Sequence, residues 1–316
     1  MEQKIREDLE NSYGIICERA TPVSGGRLNR KWQVNSGQAT YLIKEFSLKR
    51  YNDRKILELE EAMQRQMIIE KCGVPCPHII PYECNALRTL EDHTVYMVMS
   101  FCSGSVRNSE TITKQQIRDL GSVCGKMHSA FGTLPVEGVR GFPIKGKQVL
   151  DSLWKHFNDG VKKLEEDDLP EGYREAVLGQ ETILKSLTVD FFENLSKGIG
   201  HEDFSWDNIL FHNEGVAAVV DFDRNQYGFV RHDIGRALLS FAWKDGVLDV
   251  EKVHAFMEGY SEYEPLTAKD IKDALKITWC IEAPWWIHPF LFQGAVEKIV
   301  RFRDEVLWLT EHWSEL

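Results

Sequence analysis

Two short apolar runs, Ile209-Leu210-Phe211 and Val216 to Val220, flank His212-Asn213-Glu214-Gly215 in a region that otherwise reads as helix. Apolar runs around an Asn/Gly turn are the signature of a β-hairpin. Helical patterns lie on both sides, roughly from Asp151 to Leu195 and from His232 to the C-terminus. In an antiparallel hairpin the start of the first strand lies beside the end of the second. Asn208 and Asp221, distant in sequence, are therefore expected to meet at one end. Asp203 stands on the segment leading into the hairpin and is expected at the same place. Two carboxylates and a carboxamide are hard oxygen donors, the set that Mg²⁺ and phosphate-transfer chemistry require.

The first hundred residues follow a different pattern. Ile15 to Val23, Arg30 to Val34 and Thr40 to Phe46 are β-compatible runs separated by Ser24-Gly25-Gly26 and Asn35-Ser36-Gly37, as in an antiparallel meander. Lys44 falls on the third run. A helical stretch from Asp53 to Lys71 is stopped by Gly73 and Pro75, and another strand-like run spans Thr94 to Phe101. After Ser103-Gly104-Ser105 the pattern turns helical. Thr113 and Gln116 form a capping box, and Ile117, Leu120, Val123, Cys124 and Met127 recur on one helix face. An α+β chain in two lobes is expected: residues 1–102 as a sheet with a helix, and 103–316 as a mostly helical part. At 316 residues, two lobes of ordinary size are accommodated.

The composition is that of a folded globular protein, with 43% hydrophobic and 28% charged residues and only 23 Gly and 10 Pro. The formal charge is −11, which disfavours a nucleic-acid partner and favours a small cationic one, although plain solubility accounts for it as well. The opening Met1 to Asn11 is charged, and no run of eighteen apolar residues occurs, so no membrane partner and a cytoplasmic location are expected. Seven scattered cysteines fit a reduced compartment better than a disulfide framework. Cys72, Cys76, His78 and Cys84 crowd together, but their spacing matches no usual pair of zinc half-sites.

His201 to Asn208 matches an H-x-D-x-x-x-x-N catalytic loop, and Asp221-Phe222-Asp223 follows it after the hairpin. With these motifs the sequence resembles the aminoglycoside phosphotransferase and choline kinase group, small-molecule kinases that share the protein-kinase fold. The resemblance covers most of the chain. It implies Asp203 as the catalytic base and Asn208 and Asp221 as metal ligands. Val23-Ser24-Gly25-Gly26 with Asn29 resembles the nucleotide loop, and Lys44 stands where the phosphate-binding lysine is expected. Its orienting glutamate would come from the following helix, where Glu58, Glu60 and Glu61 compete and Glu61 fits best by its distance from Gly73-Val74-Pro75. Gly25, Gly26, Ser100 and Cys102 join Lys44 and Glu61 as the implied nucleotide contacts. His201 and Asp233, the latter leading Asp233-Ile234-Gly235-Arg236-Ala237, are implied as structural support. Gly121 to His128 resembles the family's helix before the catalytic segment. Two positions depart from the pattern: Glu202 where the family usually has glycine, and Trp206-Asp207 where smaller residues are common.

The activity implied is ATP-dependent transfer of the γ-phosphate to a hydroxyl of a small molecule, with Mg²⁺, and with GTP as the alternative donor. Acceptor candidates lie in Trp279 to His288, where Glu282, Trp285, Trp286 and His288 combine aromatic faces, a carboxylate and an imidazole suited to a cationic or sugar-like substrate. The competing reading of the tryptophans is helix packing. Aminoglycosides, choline- or ethanolamine-like alcohols and homoserine-like amino acids all remain open. The rival from another class is a kinase-fold binding or structural protein that has lost catalysis.

Overall fold

The computed structural model describes residues 1–23, 29–47, 51–139, 141–166, 168–293 and 297–316. The chain divides into two compact units, Met1–Val106 with Asn208–Arg224, and Arg107–Asp207 with Asn225–Leu316. The hairpin of residues 208–224 thus groups with the first hundred residues, whereas a single cut after residue 102 assigns it to the helical part.

The first unit opens with helix α1 (Gln3–Tyr13), then strands β1 (Arg19–Pro22), β2 (Arg30–Ser36) and β3 (Ala39–Phe46). Helix α2 (Asp53–Lys71) and strands β4 (Arg88–Thr89) and β5 (Val95–Ser100) follow. Among the described residues the sheet is antiparallel with strand order β1-β2-β3-β5-β4. Asn52 caps α2 through Lys55 N, and Gly73 N returns to Glu70 O to close it. The sequence pattern does not announce α1, because its eleven residues carry little apolar surface. Ile5 and Leu9, one turn apart, nevertheless bury fully against Trp32, Val34, Ile43, Tyr96 and Val98. Asp8 fixes the helix by pairing with Arg88 Nε at 2.9 Å and Nη2 at 2.7 Å.

The second unit begins with α3 (Lys114–Gly132), α4 (Gly146–Lys163), α5 (Tyr173–Ser186), the short α6 (Val189–Glu193) and strand β6 (Lys197–Gly200). The first unit's hairpin, β7 (Ile209–Phe211) and β8 (Val216–Val219), comes next in the chain. The second unit then resumes with β9 (Gln226–Phe229), α7 (Arg231–Phe241), the small ladder β10 (Trp243–Lys244) and β11 (Val247–Leu248), α8 (Val250–Tyr260), α9 (Ala268–Trp286) and α10 (Glu297–Glu311). The expected capping box opens α3, and Ile117, Leu120, Val123, Cys124 and Met127 are buried along its inner face. β6 pairs antiparallel with β9, which leaves the loop after β6 beside the start of α7. Among the described residues no helix is long and apolar enough to cross a membrane.

Candidate active site

The β7–β8 hairpin forms with Ile209 opposite Val219, and Val220 N donates to Asn208 O at 2.9 Å. Asn208 and Asp221 therefore stand at the same end of the hairpin, as strand geometry requires. Ser105 and Phe211 exchange two backbone hydrogen bonds, at 3.0 and 2.9 Å, and Val219 N donates to Pro75 O at 2.8 Å. Gly104 permits this seating: its φ is 136°, and a Cβ there would come within 3.1 Å of the Leu210 and Ala217 side chains.

Lys44 of β3 reaches that end of the hairpin. Its ammonium lies 2.6 Å from Asp221 Oδ1 and 2.6 Å from Asp223 Oδ2, with the side chain almost wholly buried. Burial alone would push the ammonium's pKa down, but the two carboxylates hold it above the ordinary lysine value. Asp221 shows the reverse balance, with burial raising its carboxyl pKa and Lys44 and Lys31 holding it well below the usual carboxylate range. Asp223 is pushed up by burial, and the neighbouring Asp221 adds to the rise against the opposing pull of Lys44. Its Oδ1 is buried without a hydrogen-bond partner. Asp221 holds a left-handed backbone, φ 67°, a conformation aspartate tolerates better than most residues.

Lys31 was not singled out by sequence reasoning, and Asp223 only as the third residue of Asp221-Phe222-Asp223. Lys31 lies on β2 directly opposite Lys44, and its Nζ is 3.4 Å from Asp221 Oδ2. Only the strand register could have signalled it. The other nucleotide candidates divide. Ser100 ends β5, where its N donates to His78 O at 2.8 Å and its Oγ accepts from His78 N at 2.9 Å. Cys102, just beyond, is half-buried, and burial raises its thiol pKa. Gly25 and Gly26 lie outside the described residues. Glu61 is not brought to Lys44: it is exposed on α2, and no ion pair joins the two among the described residues. Glu60 instead accepts from the backbone N–H groups of Ala86 and Leu87, each at 2.8 Å, and Glu58 pairs with Arg54. In this structure the charges that anchor Lys44 are those of Asp221 and Asp223.

In the second unit Asp233, at the start of α7, holds the loop that carries Asp203. Its Oδ2 accepts from His201 N at 2.7 Å and its Oδ1 from Glu202 N at 2.8 Å, while His128 Nε2 of α3 lies 3.1 Å from Oδ2. His128 Nδ1 in turn meets Tyr260 O–H at 2.9 Å. Burial would raise the Asp233 carboxyl pKa, yet the His128 contact and the neighbouring imidazoles keep it below the ordinary value. His201 is fully buried and its Nδ1 accepts from Asp203 N at 3.3 Å, so it braces the loop from within. Asp203 is half-buried, five residues before Asn208 along the chain. Asp207, one of the departures noted in the sequence, accepts from Ser205 Oγ at 2.8 Å.

Glu202, the other departure, takes a left-handed φ of 64°, the conformation that explains why glycine suits this position. Its carboxylate is buried over two glycines. A Cβ on Gly228 would come within 2.8 Å of Glu202 Oε1, and one on Gly200 within 3.3 Å. Oε2 lies 3.1 Å from His232 Nδ1, and His232 Nε2 is 3.3 Å from Glu282 Oε1. Glu282 Oε2 accepts from Arg236 at 2.6 Å and from Trp286 Nε1 at 3.1 Å, and Arg236 also pairs with Glu305. A buried carboxyl would ordinarily rise, but Arg236 and His232 hold Glu282 down to about 2. Glu282 is therefore committed to a buried ion network rather than left to grip an amine. Trp286, stacked on Phe302 with ring centroids 4.9 Å apart, is likewise a packing residue. Trp285 is 68% exposed. His288 stands with its Nε2 3.5 Å from Lys163 Nζ, and burial with that ammonium lowers its pKa.

Residues 19–266 match the model of the phosphotransferase enzyme family, and the chain belongs to that family. Curated relatives include the homoserine kinase of Rhizobium meliloti (strain 1021), 24% identical over 202 residues, covering 63% of this chain and 58% of that protein. The homoserine kinase of Methylobacillus glycogenes is 23% identical over 250 residues, covering 78% and 72%. The chain thus spans less than two thirds of the length of the first of these relatives. Among solved structures, an amicoumacin kinase with AMP-PNP and Ca²⁺ superposes with a TM-score of 0.66 at 15% identity, covering 96% of this chain and 92% of that one. A spectinomycin phosphotransferase with ADP and spectinomycin gives 0.62 at 17%, covering 99% and 94%. These superpositions establish the kinase-like fold.

Proposed function

We propose that this chain transfers the γ-phosphoryl group of ATP to the hydroxyl of a small molecule, with Mg²⁺ as the metal. The observation that carries the proposal is the buried Lys44 ammonium set against Asp221 and Asp223 at the base of the hairpin. Phosphoryl transfer asks a protein for positioning and charge neutralisation more than for covalent chemistry. Lys44 would bind the α- and β-phosphates. Asp203 would orient the acceptor hydroxyl and take its proton as transfer proceeds. Asp233, His128 and His201 would keep the Asp203 loop in place through the hydrogen bonds described above.

The donor set fits a hard divalent cation: the Asn208 carboxamide, the Asp221 carboxylate, and a buried Asp223 oxygen without a partner. Among the described residues no group of three or more His, Cys, Asp or Glu side chains is placed to hold a metal by itself. Mg²⁺ is commonly held by one or two carboxylates together with substrate phosphates. When bound, the ion would neutralise charge on the phosphoryl oxygens.

The homoserine kinases among the relatives make amino-acid alcohols the acceptor class we favour over aminoglycosides. The loss-of-catalysis reading is disfavoured because Lys44, Asp203, Asn208 and Asp221 are all retained. Thermal unfolding with ATP and Mg²⁺ tests the proposal, since ligand at a hundred times Kd stabilises by about 2.7 kcal/mol. A clear rise in Tm supports a nucleotide site. No rise at millimolar ATP contradicts it.

A further inference from the structure

Lys31 and Lys44 form a directly opposed pair across β2 and β3, so their side chains leave the same face of the sheet. Like charges directly opposite one another destabilise a sheet. Here both are largely withdrawn from water, with side chains 17% and 3% exposed. The arrangement is offset by anions: Lys44 holds one oxygen of Asp221 and one of Asp223, and Lys31 leans at 3.4 Å on the other Asp221 oxygen.

That balance must change when the site is used. Asp221 serves two ammoniums here, and as a metal ligand its charge would be shared with a divalent cation. Lys31 contacts Asp221 at the longest of these distances and belongs to the more exposed of the two side chains, so it is the cation most readily released. A polyphosphate is the ligand whose charge would compensate both lysines together.

We propose that Lys31 is a second phosphate-binding cation of the nucleotide site, resting on Asp221 until a triphosphate takes over its charge. This rests on the nucleotide site proposed above. Lys31 would then confer affinity for the phosphates and none for the nucleoside.

The test is equilibrium binding of ATP, ADP and adenosine to the full chain by calorimetry, comparing wild type with Lys31→Met and Lys31→Arg. Lys31→Met is expected to weaken ATP and ADP about tenfold or more, the usual scale for a lost charged hydrogen bond, and to leave adenosine unchanged. Lys31→Arg, which keeps the charge, is expected to stay within about threefold of wild type, and its melting temperature guards against a folding artefact. Wild-type binding of ATP with an unaltered ATP-to-adenosine ratio in Lys31→Met would make Lys31 a packing residue and overturn this inference alone. Failure of wild type to bind ATP at all would overturn the nucleotide site and the role of Lys31 with it.

Discussion

His232 Nδ1 lies 3.1 Å from the Glu202 carboxylate, so the residue preceding Asp203 is tied by a buried ion pair to α7. The imidazole's other nitrogen faces Glu282 of α9 at 3.3 Å, and Asp233 and Arg236 share its helix. Burial would lower the His232 pKa, but the two carboxylates raise it to about 10. An imidazolium in the interior is stable here because it is flanked on both sides.

A pH dependence of stability follows. The folded value lies above that of an unfolded histidine, about 6.5, so the stabilisation is fully present at and below that pH. It is lost as pH rises through about 10. Denaturation midpoints measured from pH 6 to 10.5 should decline across this window in wild type and be flatter in His232→Gln. Equal slopes in the two proteins would count against the pairing.

Glu202→Gly sets two terms against each other. Glycine relieves the left-handed backbone, worth about 1–2 kcal/mol. Removing one partner of a buried ion pair costs about 3–5 kcal/mol. The second term is larger, so the variant should be less stable by about 2 kcal/mol in urea denaturation at pH 7. A stabilised variant would mean that the carboxylate contributes less through His232 than the backbone relief of about 1–2 kcal/mol.

Lys44→Met should destabilise by about 3 kcal/mol, because Asp221 and Asp223 lose their shared counter-charge. Adding Asp223→Asn should recover at least about 1 kcal/mol, since the two residues are in direct contact and their effects are not additive. Strict additivity in this double-mutant cycle would argue that the 2.6 Å contact carries no energy.

Asp221→Asn keeps a side chain that tolerates φ 67° while removing the charge. Mg²⁺-dependent ATP binding should fall at least about tenfold. The fold should persist, as judged by circular dichroism. Retained metal-dependent affinity would remove Asp221 from the metal site.

Much of this architecture is legible locally. Helix α2 begins at a capping asparagine and stops at Gly73, and the hairpin announces itself by its Asn/Gly turn, so the sequence pattern alone puts Asn208 and Asp221 at one end. What escaped depends on distant partners. Which glutamate of α2 faces inward is set by how the helix rotates on docking, and Glu61 turned out exposed. Lys31 became visible only through its register with Lys44. Glu282 beside two tryptophans resembles a grip for a cation until Arg236 and His232, some fifty residues earlier, are seen to occupy both its oxygens. Helix α1 carries too few apolar residues to signal a buried face, yet Ile5 and Leu9 are part of the core.

The most direct test of the whole account is transfer of labelled γ-phosphate from ATP, with Mg²⁺, to homoserine, choline, ethanolamine and an aminoglycoside, by wild type and by Asp203→Ala. The account predicts turnover of one acceptor class by wild type, with amino-acid alcohols first. It predicts a loss of about 10²- to 10⁴-fold in kcat for Asp203→Ala with ATP affinity largely intact. Near-normal turnover by Asp203→Ala, or transfer to none of these acceptors by wild type, would contradict it.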